Sequence, residues 1–179
     1  MERFIYLIIF VCTLHICRAQ EDLSKIKTKI DSMAYASRAK ADAVLSLFDS
    51  LKTTKLLYSI SNEHFYVLIN VDCKYIEYYI YADSSNIIKE KRFIEHPKQN
   101  IALLSKAVDV NKYHQVFITK VNDVIVTQGN PSYFVVKDKD GKRYGEYWLP
   151  VITSPIPIDQ EVYNYLFSEL LKQSSKNEK

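Results

Sequence analysis

The spacing of the hydrophobic residues changes along this chain, and the change restricts the fold more than any other feature. In residues 22–55 hydrophobic residues recur at steps of three and four with no proline or glycine among them, which predicts one long helix. From Tyr58 the step becomes two, which is the period of a strand. After Asp159, a residue type that caps helices, the spacing is helical again. Helices and strands that do not alternate strictly indicate an α+β fold.

Turn residues and prolines divide the rest of the chain into elements. Strands are expected at about 64–71, 75–81 and 87–94, and then at 113–121, 124–128, 132–138 and 142–149. A helix of about three turns follows Pro97, and the last helix runs from Asp159 to about Lys172, before a polar tail from about Gln173. The predicted order is α-βββ-α-ββββ-α, with a long N-terminal helix, a largely antiparallel sheet of about six to seven strands and a C-terminal helix. The charged stretch 89–92 marks its strand as a sheet edge.

The first helix has small residues in the middle of its apolar face, at Ala34, Ser37 and Ala41. Small side chains let a helix approach a sheet closely, so we expect this face to pack on the protein's own sheet. A homodimeric coiled coil through the same helix is the alternative, but the seam is short for that purpose.

The first 19 residues have the layout of a secretory signal peptide. Arg3 precedes an apolar stretch that ends at Ile16 and is too short to span a bilayer as a mature helix, and Ala19 suits a cleavage site. We therefore expect a cleaved leader over 1–19, a single domain over 20–179 with no transmembrane segment, and a periplasmic or extracellular location. Lipid anchoring at Cys17 is the alternative, although Ile16 stands where a small residue is normally required.

Removal of the leader changes both the charge and the cysteine content. Lys+Arg falls from 24 to 22 and Asp+Glu from 21 to 20, which leaves a net charge of +2. So small a charge does not indicate nucleic acid or an anionic membrane as a partner. Cys73 becomes the only cysteine, so no internal disulfide can form, and we expect a buried thiol in preference to a nucleophile or an intermolecular bridge.

The sequence contains no recognisable catalytic, metal or cofactor motif. Its three glycines all lie at or after residue 129, which excludes the dinucleotide fingerprint, the P-loop and the G-x-S-x-G elbow. His64, His96 and His114 lack the spacing of metal ligands. We therefore predict no cofactor, no metal site and no assigned catalytic residue, and the sequence favours a protein that is not an enzyme.

The arrangement of aromatic residues is the strongest functional signal in the sequence. Four tyrosines of the first predicted hairpin share one strand parity, and two tyrosines and the only tryptophan lie on the last strand. Tyrosine combines a rigid apolar face with a polar tip, which suits binding surfaces, although half-buried strands also favour it. The candidate binding residues are Tyr66, Tyr75, Tyr79, Tyr81, Tyr147 and Trp148.

Three functions are compatible with these observations. The first is a small exported, non-catalytic protein-binding or accessory domain, of the inhibitor or immunity type, that uses aromatic sheet faces. The second is an exported hydrolase whose site joins His64 or His114 to distant carboxylates, which a concave His–acid site would favour. The third is an apolar-ligand-binding protein, which a closed sheet around a void would favour. For the first function, the expected partner is another protein, which no motif in the sequence identifies.

Overall fold

The structure is a computed structural model, which describes residues 25, 28–72, 74–113, 118–119, 130–150 and 156–177. The helices are α1 over residues 28–46, α2 (Ile101–Ala107) and α3 (Gln160–Ser174), with 3-10 turns at Val110–Lys112 and Ser175–Asn177. The strands are β1 (Lys55–Ile60), β2 (His64–Val71), β3 (Lys74–Ala82), β4 (Ile88–Phe93), β5 (Ile118–Thr119), β6 (Ser132–Lys137) and β7 (Arg143–Leu149). The chain order is α1-β1-β2-β3-β4-α2-β5-β6-β7-α3.

One sheet in the order β4-β3-β2-β1-β6-β7-β5 forms the middle layer of the molecule. Its six longer strands pair antiparallel, and the short β5 pairs parallel with β7. One face, the α1 face, carries Phe65, Val67 and Trp148 and is covered by α1. The opposite face, the α3 face, carries Tyr66 and Tyr147 and packs against α2 and α3. The predicted α+β class, antiparallel sheet and terminal helices are thus confirmed.

The sequence pattern did not separate β1 from the first helix. Lys55–Ile60 forms a fourth strand before α2, at the centre of the sheet, and all its residues are buried. A strand covered on both faces has no alternation of apolar and polar residues, so the predicted helix ran on to residue 55. The helix instead ends at 46, where backbone bonds tighten to i→i+3 spacing, as from Leu47 N to Val44 O.

Glycine-free turns join the first strands. Ser61 and Asn62 adopt φ values of 59° and 55° in the three-residue connection between β1 and β2, a conformation that suits the twist of a hairpin. Asp72, directly after β2, and Asn86, two residues before β4, also adopt positive φ values. Asn and Asp tolerate this region better than other non-glycine residues, because their short polar side chains form local hydrogen bonds.

The predicted edge strand lies at the edge of the sheet. Residues 89–92 belong to β4, the outermost strand on one side. The Lys91 ammonium lies 4.2 Å from the ring centroid of Phe48 and 5.1 Å from that of Tyr78, so its charge sits over aromatic rings on the α1 face. Charged side chains on an edge strand discourage pairing with other chains.

The C-terminal helix starts as predicted and ends later. The Asp159 carboxylate accepts hydrogen bonds from the backbone N–H groups of Glu161 and Val162, which confirms it as the N-cap. The helix continues to Ser174, and Gln173, expected at the start of a polar tail, is buried. The reason is tertiary: the Arg92 guanidinium of β4 donates a 3.0 Å hydrogen bond to the Gln173 carbonyl oxygen.

Several predictions concern residues outside the described ranges. These are the leader over 1–19, the strand at 124–128, Cys73 and His114. Of the strand predicted at 113–121, Ile118–Thr119 is described as a strand. Within the described part of the chain, no helix has both the length and the apolar character needed to cross a bilayer.

Candidate functional site

The predicted aromatic residues occupy different environments. Tyr66, Tyr75, Tyr79 and Tyr81 share the α3 face as their parity predicted, and Tyr147 joins them, whereas Trp148 points to the α1 face. Three of the six side chains, those of Tyr66, Tyr79 and Trp148, have 0% exposure, and Tyr147 has 7%. Tyr75 and Tyr81 are half-buried. A binding role for the six stays a prediction, and only the half-buried pair offers appreciable surface in the described structure.

A buried glutamate lies among the tyrosines of the α3 face, which we call the tyrosine row (Tyr66, Tyr75, Tyr79 and Tyr81). Glu77 of β3 shares the α3 face with Tyr75 and Tyr79, and its side chain has 0% exposure. The Tyr66 hydroxyl donates a 2.6 Å hydrogen bond to Glu77 Oε1, and the Tyr165 hydroxyl of α3 donates to the same oxygen. Hydrogen bonds to a charged acceptor are stronger than neutral ones, so two hydroxyls together offset much of the cost of burying the carboxylate.

The segment between β4 and α2 brings two more polar side chains to this carboxylate. Gln99 Nε2 donates to Glu77 Oε2 at 3.1 Å and to the Tyr75 carbonyl oxygen at 2.9 Å. His96 Nε2 lies 3.4 Å from Glu77 Oε1 and 3.3 Å from the Tyr165 hydroxyl oxygen. Four side chains from β2, the β4–α2 connection and α3 therefore converge on one buried carboxylate.

A groove opens to solvent beside this cluster, and we name it the Glu77 groove. It has a volume of about 660 Å³ and is lined by residues 74–76, residues 93–96, Gln99 and Ile101. Phe93 and Ile101 are large apolar residues at its rim, with 49% and 61% exposure. The groove therefore combines an apolar rim with a floor where His96 and Gln99 are held by Glu77.

Burial keeps the two tyrosine hydroxyls in their neutral, proton-donating form. Desolvation, with the nearby Glu77 charge, raises the pKa of Tyr66 well above its ordinary value of 10.0. Burial and the hydrogen bond to Glu77 likewise raise the pKa of Tyr165. Both hydroxyls thus remain donors to Glu77 over the physiological pH range. Chemically, the cluster is a fixed hydrogen-bonding floor in which only His96 and Gln99 reach the groove.

Sequence reasoning identified the row but not its centre. Glu77 is the acidic residue within the inward parity of Tyr75, Tyr79 and Tyr81, and a charge on an apolar face is the signal that could have marked it. His96, Gln99 and Tyr165 are distant in sequence, so no local pattern joins them. His64, the described histidine of the hydrolase hypothesis, instead has its Nδ1 2.8 Å from the Tyr79 hydroxyl oxygen and its ring stacked on Tyr81.

Comparison with known protein families, characterised proteins and solved structures gives no match to this chain. Among the described residues, no group of three or more His, Cys, Asp and Glu side chains is placed to hold a metal ion.

Proposed function

We propose that this chain is an exported protein-binding domain that seats an apolar segment of a partner protein in the Glu77 groove. The observation that carries the proposal is the exposure of Phe93 and Ile101 at the rim of a groove with a polar floor. Interfaces gain most of their energy from large apolar side chains that lose contact with water, and polar groups beneath them set the orientation of the partner.

The rigidity of the floor supports this proposal. Glu77 fixes Gln99 from below, while Gln99 also bonds to the backbone of Tyr75, so the floor is ordered before a partner arrives. A preorganised surface loses little conformational entropy on binding, which favours affinity. Of the six residues predicted to bind, Tyr75 is the one that lines the groove.

The leader supports the exported location. Residues 1–19 have the charge, apolar stretch and small residues of a secretory signal. Determining the first residue of the mature protein would test this part directly: Gln20 is expected, whereas Cys17 would indicate a lipid anchor instead.

Site-specific photo-crosslinking in the cells that make the protein tests the binding role. A photoreactive side chain at position 101 is expected to give a discrete protein adduct, and the additional substitution Phe93→Asp should reduce its yield by about tenfold, because a charge would have to be buried against the partner. Position 47 is the control, because Leu47 is also exposed but lies on the α1 side of the molecule. Equal adducts from positions 47 and 101, or none from 101, would contradict the proposal.

A second candidate, acid–base catalysis in the same groove, is favoured by the pairing of His96 with Glu77. A carboxylate at 3.4 Å can orient an imidazole for proton transfer, as a hydrolase would require. Hydrolysis of ester, amide and glycoside substrates by the purified protein tests this candidate. Activity lost in His96→Asn with adduct formation at position 101 retained would favour catalysis, whereas inactivity of the unmodified protein on all three classes would leave binding as the function.

A further inference from the structure

A second concave site lies away from the Glu77 groove, between the end of α1 and the β6–β7 turn. It has a volume of about 560 Å³ and is lined by residues 137–141 together with Leu45, Asp49, Lys52 and Lys55. We name it the lysine pocket, because four of its residues are lysines. Nothing in the proposed protein-binding role uses this pocket.

Lys55 is the buried cation of the lysine pocket. It is the first residue of β1, is 8% exposed, and has its nearest carboxylate oxygen, Asp49 Oδ1, at 3.9 Å. The ion pair is therefore long, and its carboxylate is largely solvated, because the Asp49 side chain is 74% exposed. Burial lowers the pKa of Lys55, partly opposed by Asp49, and the positive charges of Lys137 and Lys52 lower it further. An ammonium group in this position is short of negative charge.

Of the three other carboxylates near the pocket, Asp140 is exposed on the β6–β7 turn and forms no ion pair among the described residues, and the other two are already used. Asp138 accepts hydrogen bonds from the backbone N–H groups of Asp140 and Lys142, both at 2.9 Å, and so holds the β6–β7 turn together. Asp42 accepts from Lys137 at 2.6 Å and from Arg143 at 2.5 Å, so its carboxylate is shared between those two cations. Neither group is positioned as a counter-charge for Lys55.

Two further lysines stand at the rim of the pocket. Lys52 and Lys139 are exposed, and the described part of the chain contains no ion pair to either of them. Three ammonium groups therefore surround one polar space, with a single long contact to Asp49 between them. A compact ligand with several anionic oxygens would supply the hydrogen-bond acceptors that these groups lack.

We propose that the lysine pocket binds an oxyanion of the phosphate or sulfate type, with Lys55 at its base and Lys52 and Lys139 at its rim. Asp49, whose carboxylate lies 3.9 Å from the Lys55 ammonium, competes with the anion for this charge. The ligand chemistry is the same for a free ion and for such a group on a larger molecule, and the free ions are the appropriate first probes.

Calorimetric titration of the whole protein with inorganic phosphate and with sulfate, at constant ionic strength in chloride, tests the proposal. Lys55→Met should weaken phosphate binding by about tenfold or more, because a charge-assisted contact is lost while the volume of the side chain is kept. Asp49→Asn should strengthen binding severalfold, since a competing negative charge is removed. Lys172→Gln is the matched control, because this lysine lies on α3, across the sheet, and its loss should leave affinity unchanged.

The opposite signs of the two main variants distinguish a binding site from a structural role. If Lys55→Met does not fold, the same titration is carried out on Lys139→Gln, which lies on the exposed turn. This variant should bind phosphate severalfold more weakly. Binding that is equal in phosphate, sulfate and chloride, or that responds identically to Lys55→Met and Lys172→Gln, would overturn the proposal. Because the pocket shares no residue with the Glu77 groove, failure here leaves the adducts expected from position 101 unaffected.

Discussion

Glu77 is a charged residue in a row of aromatic side chains, and its burial is tolerable only because donors surround it. Tyr66 and Tyr165 donate to Oε1 and Gln99 donates to Oε2, so both oxygens are satisfied. A buried carboxylate without such donors would have to bind a proton or move to the surface. The donors come from three separate parts of the chain, so this residue links β2, α3 and the β4–α2 connection.

Replacement of Glu77 by Gln tests that role. The substitution keeps the shape but presents an amide N–H₂ group where two hydroxyls or Gln99 now donate, so at least one donor loses its acceptor. We expect the free energy of unfolding to fall by about 2–4 kcal/mol, measured by urea denaturation. Glu95→Gln is the control, because Glu95 is exposed at the same groove and should change stability by less than about 0.5 kcal/mol. Equal effects of the two variants would contradict the role assigned to Glu77.

Two glycines with positive φ allow the stability cost of backbone strain to be separated from the cost of steric overlap. Gly145 has φ +53°, and a Cβ atom there would lie 2.8 Å from Cδ1 of the Tyr113 ring, whereas Gly141 has φ +81° with open space around it. Gly145→Ala should therefore cost about 3 kcal/mol from strain and overlap together, and Gly141→Ala about 1 kcal/mol from strain alone. Thermal and urea unfolding of both variants measure the difference, and a larger loss at Gly141 would show that the Tyr113 contact is unimportant.

At the scale of elements, α1 is held on the sheet by ion pairs as well as by apolar packing. Arg38 donates to Glu146 of β7 at 2.7 and 2.5 Å, and the Tyr133 hydroxyl donates to the same carboxylate. One turn later, Asp42 accepts from Lys137 at 2.6 Å and from Arg143 at 2.5 Å. The small side chains around Ser37 allow the helix to approach closely enough for these contacts.

A double-mutant cycle on Arg38 and Glu146 measures this docking. Arg38→Met should destabilise the protein by about 3 kcal/mol, because it leaves Glu146, whose side chain is 5% exposed, without its main partner. Adding Glu146→Gln should then cost much less than it does in the unmodified protein, with a coupling energy of about 1–3 kcal/mol from urea unfolding. Strict additivity would mean that the pair does not stabilise α1.

The same contacts predict loss of stability in acid. Burial alone would raise the pKa of Asp42, but hydrogen bonds from Lys137 and Arg143 outweigh it and lower the pKa below the ordinary value of 3.8. Because the folded pKa is lower than the unfolded one, this carboxylate stabilises the protein fully above about pH 4, and the contribution disappears as pH falls further. Urea denaturation of the unmodified protein and of Asp42→Asn, from neutral pH to about pH 2, measures this contribution. The difference in stability between the two proteins should therefore become smaller as the pH falls. A constant difference would contradict the assignment.

The helices and edge strand were predictable from the sequence because their signals are local. Asp159 caps α3 through its own backbone neighbours, and the charged run of β4 marks an edge wherever the strand pairs. β1 was missed because burial on both faces removes the alternation that identifies a strand. The Glu77 cluster was missed for a related reason, since Tyr165 lies 88 positions from Glu77 and only the packing of α3 brings them together.

For the whole molecule, the buried tyrosines predict cooperative behaviour in alkali. Burial raises the pKa of Tyr79 to about 12, and it also raises those of Tyr58 and Tyr133. Since the folded pKa values exceed the unfolded value, the tyrosines stabilise the protein fully below about pH 10, and this stability declines as pH rises through about 12. Tyrosinate absorbance of the buried groups should therefore increase together with the loss of the circular dichroism signal. Their gradual ionisation in a protein that keeps its full dichroism signal would contradict this expectation.

The sequence alone determined the α+β class, the presence of a helix near each end of the chain, the edge strand and the grouping of tyrosines on one sheet face. These features depend on periodicity and on local capping, which neighbouring residues encode. Tertiary structure alone decided that β1 is central, that most of the tyrosine row is buried, and that His96, Gln99 and Tyr165 meet at Glu77. The physical reason is that burial and long-range hydrogen bonds depend on which elements cover a face, and no local spacing of residues specifies that choice.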